Sequence, residues 1–197
     1  MKSSTDIESR VTMPLTLEAH HLAQKFYRQH PKANIAKRVY LNTLAIYAVH
    51  TYLKALGIES QLAAGDSWNR SLQALSDTAD LVVSGKGKLE CRPLLPDEDA
   101  LLIPPEVQNN RIGYVAVHLD SSLREATLLG FVMAAHTESI PLEKLLPLEK
   151  LLMSLSETPV KIGNWLTGIF DDEWQAISEL WLAKSLTWKL RNTTMGI

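Results

Sequence analysis

A chain of 197 residues, 46% hydrophobic and 21% charged, can bury a substantial core; this excludes global disorder and fits one domain with an appendage. Its net charge of -2 gives no overall attraction to DNA, RNA or an anionic membrane, so an electrostatic partner would have to be met by a local patch. The lone cysteine, Cys91, excludes an internal disulfide and a cysteine-based zinc framework and fits a reducing cytoplasm.

The opening MKSSTDIESRVTMP lacks the apolar core of a signal peptide, and no apolar run approaches the roughly 20 residues that cross a bilayer. A soluble cytoplasmic protein without membrane association is expected. Residues 1–12 are polar and without period and read as a disordered tail, with a main α+β domain over 13–158. Thr16 is placed to cap an amphipathic helix over about 17–29, whose stripe is Ala19, Leu22, Ala23 and Phe26 and which Pro31 ends. From Ala33 to Leu56 the chain is apolar around most of a helix's circumference, and Gly57 supplies a terminator, so this is the expected central helix. Asp66 or Ser67 is expected to cap a third helix through SWNRSLQALSD, with Trp68, Leu72 and Leu75 turned inward.

The period then changes. Leu81–Val83, Leu89–Leu94, Ala100–Ile103, Arg111–Leu119 and Ala126–Ala134 are separated by Gly, Pro, Asp, Asn and Ser clusters and read as strands. In the fourth, Val115, Val117 and Leu119 alternate with Tyr114, Ala116 and His118, the pattern of a half-buried strand. Short connections favour an antiparallel meander, curled toward a small barrel, over a parallel sheet.

After Thr137 the pattern is helical again, through two identical hexapeptides, Pro141 to Leu146 and Pro147 to Leu152. Two copies do not make a solenoid; they predict one short helical turn and then a helix with Pro147 at its first position. Pro159 marks a boundary before a helical extension, 159–190, expected to pack on the main domain, with a tail at 191–197. The fold class is α+β: amino-terminal helices, a central antiparallel sheet or small barrel of about five strands, and carboxyl-terminal helices.

Charge is distributed unevenly. Between Ala19 and Ile58 lie Lys25, Arg28, Lys32, Lys37, Arg38 and Lys54 without one acid, whereas acids outnumber bases from Glu138 to Leu180. The basic helices read as a surface for an acidic partner, against the plainer alternatives of a solvated face or complementarity to the acidic carboxyl-terminal region. Nucleic acid is not favoured, because charge without a docking motif does not specify it. Late tryptophans at near-helical spacing form a stripe that either docks on the main domain or, at Trp181 and Trp188, anchors another chain.

The other candidates carry weaker chemistry. His20 and His21 point about 100° apart on a helix and do not converge on one metal ion. Cys91 alternates out of phase with Glu90 and Arg92 and reads as a buried structural thiol, against a reactive one helped by His50, His118 or His136. Asp80 and Glu90 resemble the acidic pairs with which nucleases hold magnesium, but Arg92 stands where the lysine base would be, and the pair reads more simply as a turn residue and a surface carboxylate. No Walker loop, Rossmann glycine pattern, kinase set or GxSxG elbow is present.

Taken in order, PLTLEAHHLAQKF, VYLNTLAIYAVHTYL, DSWN, GKLECRPLLP, IPPEV, RIGYVAVHLD and EATLLGFV resemble the cyanobacterial family known as domain of unknown function 1822, over about Pro14 to Leu190. The family has no established catalytic residues to carry over. The resemblance implies a cyanobacterial cytoplasm and an association with sigma-factor regulation. It also implies a further β-rich region beyond the helix corresponding to Leu180 to Leu190, which would make this chain a short member or part of a longer protein. The expected function is a non-enzymatic regulatory or protein-interaction module without cofactor or metal, binding another protein of the sigma class through Lys25, Arg28, Lys32, Lys37, Arg38, Trp181 and Trp188. The rival class is an enzyme with a pocket near the sheet, using Cys91, His118 or the acids.

Overall fold

The computed structural model describes residues 10–133 and 137–155. Within them the fold is α+β: amino-terminal helices, a six-stranded mixed sheet curled as a half-barrel, and one helix after the sheet. The expected extension at 159–190 and tail at 191–197 lie outside the described residues. No helix among the described residues is long and apolar enough to cross a membrane.

The first two helices begin and end for local reasons. Thr16 is extended, and its hydroxyl accepts from the Ala19 N–H at 3.3 Å, which satisfies one orphan donor of α1 (Leu17–Tyr27). Ala19, Ala23 and Phe26 are its buried stripe. The longer α2 (Ala33–Ala55) is buried on most sides and gives way to Gly57 at φ +72°, a left-handed position that glycine takes without steric cost.

The third helix departs from expectation. Asn69, rather than Asp66 or Ser67, caps α3 (Arg70–Leu75), accepting from the N–H groups of Ser71 and Leu72. Leu72 is exposed and Leu75 is 83% exposed, while Gln73 is the residue that turns inward. Hydrogen bonding decides this. Gln73 pairs with His30 at 2.9 Å and donates to the Ser67 carbonyl, so its buried amide is satisfied on both sides. Trp68 packs against Phe26 with ring centroids 4.8 Å apart, fastening this segment to α1.

Among the described residues eight strands are formed: β1 (Val11–Pro14), β2 (Ser60–Gln61), β3 (Asp80–Val83), β4 (Gly87–Leu94), β5 (Ala100–Leu102), β6 (Gly113–Leu119), β7 (Glu125–Val132) and β8 (Ser139–Pro141). The main sheet runs β1-β7-β6-β4-β3-β2. The expected antiparallel meander of about five strands is corrected in three ways. β6 runs parallel to β4, from Leu89 opposite Gly113 to Leu94 opposite His118. The reason is that residues 95–112 leave the sheet and return to the starting end of β4, a connection long enough for a parallel crossover. β5 lies within that excursion and pairs with β8 in a separate two-stranded sheet. Finally, Val11 and Thr12 are not tail: they belong to β1, where Val11 stands opposite Leu128 and the Thr12 and Thr127 hydroxyls lie 3.0 Å apart.

Strand β6 is buried on both faces apart from half-buried His118, not half-buried throughout. Tyr114 and Ala116 join Leu94, Leu101, Ile103, Val107 and Ile140 in a core beneath the small sheet. The opposite face, with Leu81, Leu89, Cys91, Val115 and Val117, is equally buried on the side that α2 covers. Beyond the sheet, the tandem hexapeptides form the expected short turn and helix: a 3-10 turn at Leu142–Lys144, then α4 (Leu148–Leu155), which starts one residue after Pro147 rather than on it and buries Leu148, Leu151, Leu152 and Leu155 along one stripe.

Gly130 on β7 permits the return of this segment. Its φ is +151°, a Cβ there would lie 2.6 Å from the Leu146 carbonyl oxygen, and the neighbouring Phe131 exchanges two backbone hydrogen bonds with Leu146 at 2.9 and 2.8 Å. Gly130→Ala is therefore expected to destabilise the protein by about 3 kcal/mol, combining backbone strain and overpacking. Urea denaturation checks this; a loss under about 1 kcal/mol would mean that the segment through Leu146 moves aside freely.

Candidate functional site

The hairpin of β3 and β4 places Asp80 directly opposite Glu90, so both carboxylates project from one face of the sheet together with Lys88 and Arg92. Asp80 and Glu90 have no exposure at all, and Arg92 is 6% exposed. The expectation of a turn residue and a surface carboxylate is thus corrected. These are core charges, tolerated because each is met by donors or by opposite charge.

Each oxygen has its partner. Asp80 accepts at Oδ1 from the Ser67 N–H at 2.8 Å and hydroxyl at 2.7 Å, and at Oδ2 from the Asp66 N–H at 3.0 Å, with Lys88 Nζ 3.4 Å away. Gly65 makes this cradle possible, since a Cβ there would sit 2.6 Å from the Asp80 carbonyl oxygen. Glu90 accepts at Oε1 from the Ala79 N–H at 2.6 Å and at Oε2 from Arg111 Nε at 2.8 Å, with Arg92 Nη1 3.5 Å from Oε1. Arg92 also forks onto Asp77, with Nη1 at 3.1 Å from Oδ1 and Nη2 at 2.8 Å from Oδ2. Asn42 of α2 completes Asp77 at 2.9 Å, and Arg38 Nε stands 3.8 Å from it.

These surroundings move the proton affinities in opposite directions. Burial alone would raise Asp80, but the Ser67 hydroxyl, the Ser67 and Asp66 N–H donors and Lys88 outweigh it and hold the carboxyl below its usual range. Burial likewise works against Asp77, and the hydrogen bonds and charge of Arg92, with Asn42 and Arg38, bring it below that range. At Glu90 burial wins over Arg92 and Arg111, and the carboxyl is raised. With every carboxylate committed in this way, the cluster clamps β3, β4, the start of β6 and α2 together. That arrangement does not suit the magnesium reading, which needs oxygens turned to an open site; among the described residues no three His, Cys, Asp or Glu side chains are grouped to hold a metal ion.

Cys91 is fully buried on the other face of β4, with burial first and then the charges of Glu90 and Asp80 pushing its thiol pKa well up. Alternation sets His118 on the opposite face of the sheet from it. His50 is engaged with the Ser60 hydroxyl at 2.8 Å, and His136 lies outside the described residues. His20 bonds the Tyr40 hydroxyl at 2.7 Å and its neighbour His21 is exposed, so the pair diverges as helical geometry requires. A cleft of about 450 Å³ beside the cluster is lined by Asp66, Lys88, Glu106 and Arg111 among others, not by Cys91 or His118.

The basic residues divide into two sets. Lys25 on α1, Arg28 at its end, Lys32 at the start of α2 and Lys37 one turn on are all exposed around a single helical corner. Arg38 is half-buried and bonds the Gln73 and Ser76 carbonyls at 2.9 and 3.2 Å, unlike the four exposed cations. Lys54 stands at the far end of α2. Trp181 and Trp188 lie outside the described residues. Sequence reasoning missed the ionic cluster as a whole, although its signal was present: four charges, Asp80, Lys88, Glu90 and Arg92, fall on one alternation phase of two strands whose other phase carries Leu81, Val83, Leu89 and Cys91.

Two outcomes are expected. Asp77 and Asp80 contribute stability that is full above the unfolded pKa of about 3.9 and is lost as pH falls through their lower folded values; raised Glu90 acts with the opposite sign, contributing fully below about 4.3 and losing its share as pH rises. Asp80→Asn should therefore cost about 2 kcal/mol near pH 7 and progressively less below pH 4, read from thermal melts across that range; a penalty that stays constant with pH contradicts the assignment. A thiol reagent should label Cys91 only as fast as the protein unfolds, and rapid labelling of the native chain would show an accessible nucleophile instead.

Comparison with curated proteins and with solved structures finds no match. A family model described as protein of unknown function (DUF1822) matches residues 13–195, nearly the whole chain, and the chain belongs to that family.

Proposed function

We propose that this protein is a non-enzymatic interaction module whose exposed basic corner, at the junction of α1 and α2, binds an acidic surface of another protein. The observation that carries the reading is a contrast in how cations are used. Arg38, Lys88, Arg92 and Arg111 are committed to internal carboxylates and carbonyls. Lys25, Arg28, Lys32 and Lys37 are exposed, form no ion pair among the described residues, and lie in a stretch without an acid from Ala19 to Ile58. A one-signed patch of this kind speeds encounter with an acidic partner and orients it.

The family resemblance adds direction: a regulatory role in a cyanobacterial cytoplasm, with a sigma-class transcription factor as the partner. Binding that factor would act by occupancy, withholding its surface from other contacts. A protein partner is favoured over nucleic acid because the chain as a whole is acidic, at -2, and the patch comes without a groove-reading motif. The enzyme alternative draws less support, since Cys91 and His118 lie on different faces of the sheet and the buried acids are saturated.

The triple variant Lys25→Glu, Arg28→Glu, Lys32→Glu should keep the parent's stability within about 0.5 kcal/mol, as exposed substitutions do. It should bind an acidic partner at least about tenfold more weakly, and the parent's binding should weaken with added salt. Affinity capture from native cytoplasm, followed by titration of the captured protein and of the purified sigma-class factor, checks this. Equal capture by parent and variant, or a specific partner for neither, sinks the reading.

A further inference from the structure

A second cleft, of about 280 Å³, lies between the amino-terminal half of α2 and the end of β4. It is smaller than the roughly 300–1,000 Å³ of pockets that take drug-sized ligands, so it suits a small group. Asn34, Lys37 and Arg38 enter it from one face of α2, as spacings of three and four residues require. Arg92 lines it from β4, and Asp77 and Glu98 supply its negative charge, leaving three cations against two carboxylates.

The donors here exceed the acceptors. Arg92 spends both terminal nitrogens on Asp77, yet its buried Nε–H has no hydrogen-bond partner among the described residues. Arg38 spends Nη2 on two carbonyls, and its Nε–H is likewise buried and unpartnered, 3.8 Å from Asp77 being too long for a bond. Asp77 cannot absorb the surplus, because it already receives Asn42 and both terminal nitrogens of Arg92. Glu98 is turned to its own loop, accepting from the Leu95 N–H at 2.7 Å. Both Nε atoms are shielded from solvent, so an acceptor reaches them only as the side chains lining the cleft shift; buried donors left unpaired are costly, and an acceptor that reaches them relieves that cost.

We infer that this cleft binds a small oxyanion, a carboxylate or a phosphate, between the guanidinium groups of Arg38 and Arg92 with Lys37 at its mouth. Guanidinium forks match the geometry of both groups. The site does not require the basic-corner reading: Lys25 and Arg28 take no part in it.

The test is an amide NMR titration of the full chain with inorganic phosphate and, separately, acetate, against sodium chloride at equal ionic strength. A saturating shift of the Asn34, Lys37, Arg38 and Arg92 amides with phosphate or acetate, but not chloride, is expected, and the stronger response identifies the chemical source. Arg38→Gln should weaken binding about tenfold, the loss of a charge-assisted hydrogen bond. Lys37→Glu, at an exposed position that does not hold the fold, should weaken it too and keeps the test decisive if Arg38→Gln fails to fold. Lys25→Glu with Arg28→Glu should leave anion binding unchanged while weakening partner capture. The inference is overturned by shifts that chloride reproduces, by shifts that never saturate, or by equal weakening in the Lys25→Glu, Arg28→Glu variant.

Discussion

Glu90 sits in the middle of β4 without exposure, where a carboxylate standing alone would lose several kcal/mol of hydration. Its survival there dictates much else. Arg111 has to be delivered from the start of β6, and Arg92 from two residues along the same strand; Arg92 in turn holds Asp77, and Asp77 holds Asn42 and faces Arg38 on α2. The charges form a relay through which the parallel strand pair, the hairpin and the central helix are fixed relative to one another. An apolar cluster of the same volume could match its stability. What the ions add is register: a slip of one residue in β4 would turn Glu90 and Arg92 into the apolar face occupied by Leu89 and Cys91.

How legible this was in the sequence depends on the range of the interaction concerned. Thr16, Gly57 and the stripe from Leu148 to Leu155 act within a turn or two of the chain, and the helices they define stand where those residues indicate. Strand positions were readable from β-branched residues and turn clusters, but their partners were not. Nothing near Gly113 announces that it will lie beside Leu89, because the decision is made by how residues 95–112 pack. Burial of charge is hidden for the same reason: Glu90 looks like any surface glutamate until Arg111, 21 residues away, is brought to it. Leu72 and Gln73 exchanged their expected places because the amide found His30, 43 residues earlier in the chain.

The two kinds of cation also separate structural from functional electrostatics. Arg92 and Arg111 are held in low-dielectric surroundings where salt screens them weakly; Lys25, Arg28, Lys32 and Lys37 face water, where screening is strong. Ionic strength therefore addresses the second set while sparing the first. The fold can be kept intact under conditions that switch the surface off.

The pairing of β1 with β7 bears on how the chain is made. The two threonines that face one another there are 115 residues apart in sequence, so the edge of β7 is closed by a strand synthesised long before it. That strand must wait, unpaired, until nearly every other part of the sheet has been synthesised. Closing so long a loop delays the last step of assembly rather than weakening its product, since loop entropy grows slowly with length. The earliest-made strand is thus among the last to find its place.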